Sequence, residues 1–175
     1  MTDQLKQADI DSVITAEVRS WIGRSTEPMT LPEEISASDV RRYINATGDR
    51  NPLWLDDDFA RAAGYKARIL PPMMVIDLSW RIHEAESGRL WHHHIPLPPN
   101  YVDARNAENE IEWLAEVYIG ETLVIMHRII DIVARAGRRG LGVYITRETE
   151  YRTGDGRLVA RLRQTVVRFP KTAVK

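Results

Sequence analysis

The last third of the chain is almost continuously β-forming, and that leaves few folds open to it. Residues 108–118, 121–134, 140–153 and 157–169 are long strand-type segments, parted by Ile119-Gly120, by Gly137-Arg138-Arg139 and by Gly154-Asp155-Gly156. In the last of them Leu158, Ala160, Leu162, Gln164 and Val166 alternate with Arg157, Arg161, Arg163 and Thr165. Because strand side chains alternate between faces, one face of this segment is buried and the other is wet or paired. An antiparallel sheet of this kind has to pack its apolar face on something, and the natural cover is a helix.

Helical patterns come first in the chain. Ile10, Val13, Ile14, Val18, Trp21 and Ile22 recur at three- and four-residue steps, with Glu17 as one interruption and Gly23 placed as a C-cap, so the spacing predicts an N-terminal helix over 9–22. After the turn-rich residues 23–33, Ser36 or Ser38 can cap a short helix through Asp39, Val40, Tyr43 and Ile44 that stops near Gly48. Asn51-Pro52 enforces a turn, and Asp56 to Asp58 can cap another short helix. Met74, Ile76, Leu78, Trp80 and Ile82 fit a strand or a helix, but Pro71-Pro72 suits a helix start and Gly88 its end, which predicts a helix over 71–86. Residues 87–106 hold prolines, three consecutive histidines and little periodicity, and read as a long loop. Helices followed by antiparallel strands make an α+β order, expected as one unit over 1–175 with its core at 24–169.

Composition narrows the function classes. With 24 basic and 25 acidic residues interspersed and a net charge of −1, the chain has no global field to draw it onto nucleic acid. The absence of cysteine removes disulfides, thiolate nucleophiles and cysteine-ligated zinc together. The polar N-terminus lacks a signal-peptide pattern, and no apolar run approaches the ~18 residues of a spanning helix, so a cytoplasmic protein without a membrane partner is expected. His92-His93-His94 is a weak metal signal, since three adjacent side chains do not converge on one ion and no second histidine cluster accompanies them. No metal site and no cofactor are expected.

The run Gly48-Asp49-Arg50-Asn51-Pro52-Leu53-Trp54-Leu55-Asp56 resembles the G-D-x-N-P-x-H-x-D stretch of MaoC-like (R)-specific enoyl-CoA hydratases. Phe59-Ala60-Arg61 and Leu70-Pro71-Pro72 resemble the first-half version of that domain, the MaoC dehydratase N-terminal domain. Glu112-Trp113, Ile119-Gly120-Glu121-Thr122, the arginine-rich turn at 135–139, Arg147 to Tyr151 and Val159 to Thr165 resemble that family's strands in order. The likeness spans residues 20–169.

The resemblance implies a hot-dog fold, an antiparallel sheet wrapped around one long helix at 71–86, with two such folds side by side as a homodimer or with a second hot-dog subunit. It also implies an acyl thioester of coenzyme A or of a carrier protein as substrate. In active relatives the Asp and His of the motif hold a water that adds to, or leaves, the double bond of a 2-enoyl thioester. That chemistry needs a carboxylate and an imidazole on one water, with backbone N–H groups polarising the thioester carbonyl. Here Asp49 matches the acid, although an Asp after Gly is also a turn residue. Asn51 matches the asparagine that braces the loop, a position Asn-Pro turn chemistry explains by itself. Trp54 stands where active relatives have histidine, and an indole has a donor but neither an acceptor nor a titratable site near neutrality. With Asn51, Pro71, Pro72 and Met73 it is expected to wall the substrate pocket. Arg135, Arg138 and Arg139 are candidate contacts for coenzyme A phosphates, with a solvated hairpin tip as the alternative. A second departure is Asn106-Ala107-Glu108, where many relatives carry His-Gly-Gly. Three functions follow as expectations: a hydratase or dehydratase subunit completed by a catalytic partner, a non-catalytic acyl-thioester binding protein, or a self-sufficient lyase or thioesterase using Asp49 and another base such as His83.

Overall fold

A computed structural model of the chain describes residues 7–79, 94–137 and 140–171. The helices are α1 (Gln7–Val13), α2 (Ala16–Arg19), α3 (Ala37–Thr47), α4 (Pro52–Leu55), α5 (Asp57–Ala62) and α6 (Pro72–Leu78). The strands are β1 (Met29–Thr30), β2 (Asp103–Trp113), β3 (Leu123–Gly137), β4 (Gly140–Thr153) and β5 (Leu158–Phe169). All pair antiparallel in one sheet of order β1-β3-β4-β5-β2.

Local chemistry accounts for the elements. α3 opens on a capping box, in which the Ser36 hydroxyl accepts the Asp39 amide while the Asp39 carboxylate accepts the Ser36 amide at 2.9 Å. It closes on Gly48, whose φ of 72° is the left-handed conformation a helix end requires. The inner sheet face carries two apolar clusters. One gathers Ile35, Val40, Met74, Leu123, Ile125 and Tyr151 beneath α3 and α6. The other joins Val13, Ile14 and Val18 to Ile95, Ile132 and Val143. Between them His127, Thr149 and Arg147 make a buried polar belt, with His127 Nδ1 and the Thr149 hydroxyl 2.9 Å apart.

Several expectations need correcting. The N-terminal helix is two short ones, because the Thr15 side chain accepts the Val18 amide and restarts the helix, so that Val13, Ile14 and Val18 all reach the second cluster. The strand expected at 108–118 runs from Asp103 to Trp113 instead. Asp103 to Asn106 lack an apolar alternation, yet their backbones pair with Val166 to Phe169, and an edge strand needs backbone partners rather than a buried face. β1, for which no strand was expected, lies within the turn-rich residues 23–33. The helix expected at 71–86 is present over Pro72–Leu78, and its positions 80–86, including His83, fall outside the described residues, as do 87–93 of the expected loop. No helix among the described residues is long and apolar enough to cross a membrane.

Candidate functional site

The motif loop is built by its own side chains. The Asp49 carboxylate accepts the Asn51 amide at 3.2 Å, and the Asn51 side-chain oxygen accepts the Leu53 amide at 3.0 Å and so caps α4. Pro52 at the first helical position loses no hydrogen bond there. One turn later Trp54 turns into the first apolar cluster, 7% exposed, beside Leu70 and Met74 among others. Its indole Nε1–H has no hydrogen-bond partner among the described residues. A buried donor left unpaired costs free energy unless something arrives to accept it. Asp49 itself is exposed.

Two backbone bonds lock this loop to the start of α6. The Ile69 amide donates to the Leu53 carbonyl at 3.2 Å, and the Leu70 amide to the Val117 carbonyl at 2.8 Å. Pro71 is thereby buried, while Pro72 and Met73 are exposed. Asn51, Trp54, Pro71, Pro72 and Met73 thus belong to one neighbourhood. Leu55, Phe59 and Met73, on three successive short helices, are all more than two-fifths exposed.

Sequence reasoning missed several groups here. Tyr43 of α3 has its phenol pushed up by burial, then by the charges of Asp77 and Asp49, so both carboxylates act on this one phenol. Asp77, on α6, is itself raised by desolvation. Tyr151 is raised by burial, with the Ser79 hydroxyl and the Arg147 guanidinium pulling the other way. Burial lowers Arg147, whose guanidinium donates to the Gln164 side-chain oxygen at 3.1 Å. The available signal was Asp77, a charge inside the apolar run Met74 to Leu78.

Arg135 stands elsewhere. It lies ten residues along β3 from Ile125, which packs in the Trp54 cluster, a separation of roughly 30 Å at strand rise. Its guanidinium sits 5.1 Å from the Tyr144 ring centre. Arg138 and Arg139 fall outside the described residues. Other cations lie close to the motif, where a groove of about 560 Å³ is lined by Lys66, Arg68, Tyr118 and Glu121, among others. Among the described residues no group of three or more His, Asp or Glu is placed to hold a metal ion. His92 and His93 are not among those residues.

An antiparallel sheet carrying α6 on its inner face, with the motif loop pinned to the start of that helix, defines a hot-dog protein. The comparisons agree. The family model described as "FAS1-like, dehydratase domain region" matches residues 20–162, and the chain belongs to that family of MaoC-like hot-dog proteins. A UPF0336 protein of Saccharopolyspora erythraea is 30% identical over 151 residues, 85% of this chain and 89% of its own length. A probable enoyl-CoA hydratase alpha subunit of Thermomonospora curvata is 26% identical over 87% of this chain, which spans half of that relative. Among solved structures, a chain of the ChsH1-ChsH2 complex from Mycobacterium tuberculosis superposes with a TM-score of 0.73 at 23% identity, over 95% of this chain and 94% of that one.

Proposed function

We propose that the chain is a subunit of an (R)-specific enoyl-CoA hydratase or dehydratase, forming the acyl pocket while a hot-dog partner supplies the Asp–His pair. The observation that carries this is Trp54, a buried indole in the position of the catalytic imidazole, beside an Asp49 whose carboxylate is turned onto the Asn51 amide. An indole cannot take a proton from water, so the base has to come from elsewhere. The relatives support the reading, since one is named as an enoyl-CoA hydratase alpha subunit and a similar fold occurs in a two-protein complex. Exposed Leu55, Phe59 and Met73 around the site are surface that a partner would cover. The substrate is an acyl thioester of coenzyme A or of a carrier protein, and Lys66 and Arg68, which lie closer to the motif than Arg135, are the candidate phosphate contacts for a thioester bound there.

The test is turnover of short, branched and aromatic 2-enoyl-CoAs by the chain alone and with a hot-dog subunit from the same genome that keeps the full Gly-Asp-x-Asn-Pro-x-His motif. Activity that appears only with the partner, and that depends on the partner's histidine, is the expected result. Binding without turnover in both arms favours a non-catalytic acyl-thioester protein instead. A self-sufficient lyase is the reading favoured by Asp77, a desolvated carboxyl acting on the same phenol as Asp49. Turnover by the chain alone that Asp77→Asn abolishes would establish it.

A further inference from the structure

Trp54 carries a buried donor that the chain itself does not use. The residue is 7% exposed, and its indole Nε1–H meets no acceptor among the described residues. The nitrogen is also closed to solvent, so bulk water does not supply one. A phenyl or an aliphatic side chain would fill the same apolar cluster without that cost, because a ring N–H gains nothing from Leu70, Met74 and their apolar neighbours. Packing therefore accounts for the ring but not for its N–H, and the acceptor has to come from outside the chain.

Backbone bonds fix where that donor stands. The Trp54 amide donates to the Asn51 carbonyl at 3.1 Å, and the Asp56 amide closes α4 on the Pro52 carbonyl at 2.9 Å. The Leu53 carbonyl, one residue earlier, accepts the Ile69 amide and ties this turn to the segment that enters α6. The start of α6 is poor in donors of its own. Pro71 and Pro72 carry no N–H, so Met73 is the first residue of that helix with an amide to offer. Hydration of a 2-enoyl thioester needs donors at the carbonyl oxygen, where charge develops as the water oxygen bonds the β-carbon. A neighbourhood without backbone donors at two successive prolines thus holds a side-chain donor with nothing to bind.

Resting on the reading that a hot-dog partner supplies the Asp–His pair, we propose that Trp54 is the carbonyl-binding residue of this subunit, its Nε1–H donating to the oxygen of an acyl thioester. The two subunits then divide the chemistry. The partner activates the water that bonds the β-carbon, and the electron pair of the double bond moves toward the thioester oxygen. The indole N–H steadies that oxygen until the α-carbon takes a proton and the carbonyl re-forms. No proton leaves the indole, which does not titrate near neutrality, so its share of binding is constant across that pH range. Recognition through this donor selects ligands with an oxygen beside the sulfur, and a thioether of the same shape lacks it.

Paired ligands isolate the oxygen. Butanoyl-, 2-methylpropanoyl- and benzoyl-CoA, none of them a 2-enoyl substrate, are each compared with the thioether in which CH2 replaces the carbonyl. Calorimetric titration of the full chain, alone and with its hot-dog partner, should show the best-bound thioester preferred over its thioether by about tenfold in wild type and by less than about twofold in Trp54→Phe. A second readout needs no variant. In the 15N-labelled chain the Trp54 Nε1–H resonance, one of five indole signals, should move downfield with the thioester and stay in place with the thioether. A thioester preference that survives in folded Trp54→Phe, or an indole resonance that ignores the thioester, would overturn the proposal. So would a resonance that moves on adding the partner alone and no further with thioester, because the acceptor would then be a protein atom. Any of these results in a complex that hydrates 2-enoyl-CoAs leaves the functional reading standing. A thioester-dependent indole shift in a complex without hydratase activity does the reverse, and no binding of any thioester to chain or complex removes both.

Discussion

The Asn51 side-chain oxygen accepts the Leu53 amide at 3.0 Å, and this bond starts the single helical turn that carries Trp54 into the core. Asn51→Ala leaves that amide without its cap and should cost about 1 kcal/mol, within the usual range for a lost N-cap. Asn51→Asp keeps an acceptor in place and should cost less. Urea unfolding midpoints at neutral pH distinguish the two. Equal losses in both variants would mean that the side chain matters here for something other than the cap.

Two aspartates near the site should affect stability with opposite signs. Burial raises the Asp77 carboxyl above its ordinary 3.8, so its favourable share is complete below that value and is lost as pH rises through the raised pKa. Asp77→Asn should therefore raise the melting temperature at pH 7, by about 1–2 °C given the small effects of partly exposed positions, and the gain should vanish below pH 3.8. Asp57 is lowered, first by the Arg68 backbone amide and then by the Arg68 charge. Its contribution is present above 3.8 and is lost as pH falls through the lowered pKa, so Asp57→Asn should lower the melting temperature at pH 7 and change nothing in strong acid. Thermal melts of both variants from pH 2 to 8 check the signs.

Elements with their own local chemistry were legible in the sequence. Ser36 and Gly48 bound α3 where a capping residue and a left-handed glycine predict, and β4 occupies the expected 140–153. The break at Thr15 was not legible, because an apolar stripe at helical spacing is the same whether one helix or two carries it. The start of β2 was hidden for a different reason. Its first residues are recruited by the backbone of β5, about sixty residues later, and carry no hydrophobic signature. At the site, Asp49, Asn51 and Trp54 were legible as a contiguous motif, whereas Tyr43 and Asp77 meet them only through tertiary packing. The arginine turn was visible as a cluster, but only the strand length reveals how far Arg135 lies from Trp54.

Gly142 faces Phe169 across β4 and β5, and a Cβ added there would stand 2.8 Å from the ring and 3.1 Å from a Val167 methyl. Gly142→Ala should cost about 1–3 kcal/mol through overpacking. In a Phe169→Leu background the same change should cost clearly less, because the clashing edge is gone. A double-mutant cycle in urea measures the difference. Additive losses would mean that the strands shift to accommodate the methyl group.

Trp54 is where the functional readings part, and two substitutions there separate them. If only one catalytic group were missing, Trp54→His would place a base near Asp49 and raise hydration by some part of the ~10²–10⁴-fold that general acid–base catalysis supplies. The packing argues otherwise. Trp54 is 7% exposed among Leu70, Met74 and other apolar side chains, and Asp49 is turned to the Asn51 amide. Trp54→His should therefore leave a cavity, cost on the order of 2–4 kcal/mol and produce no turnover by the chain alone. Trp54→Phe keeps most of the ring and removes the indole N–H that has no partner among the described residues, so the relief of that unpaired donor should hold its cost below about 1.5 kcal/mol. If the same N–H donates to a thioester oxygen in the assembled enzyme, Trp54→Phe should weaken acyl-thioester binding while stability stays nearly unchanged. Melting temperatures and binding isotherms on both variants, with hydration assays on Trp54→His, check these outcomes, and a clear rise in turnover by Trp54→His at unchanged melting temperature would mean that the pocket still holds a water in line for catalysis.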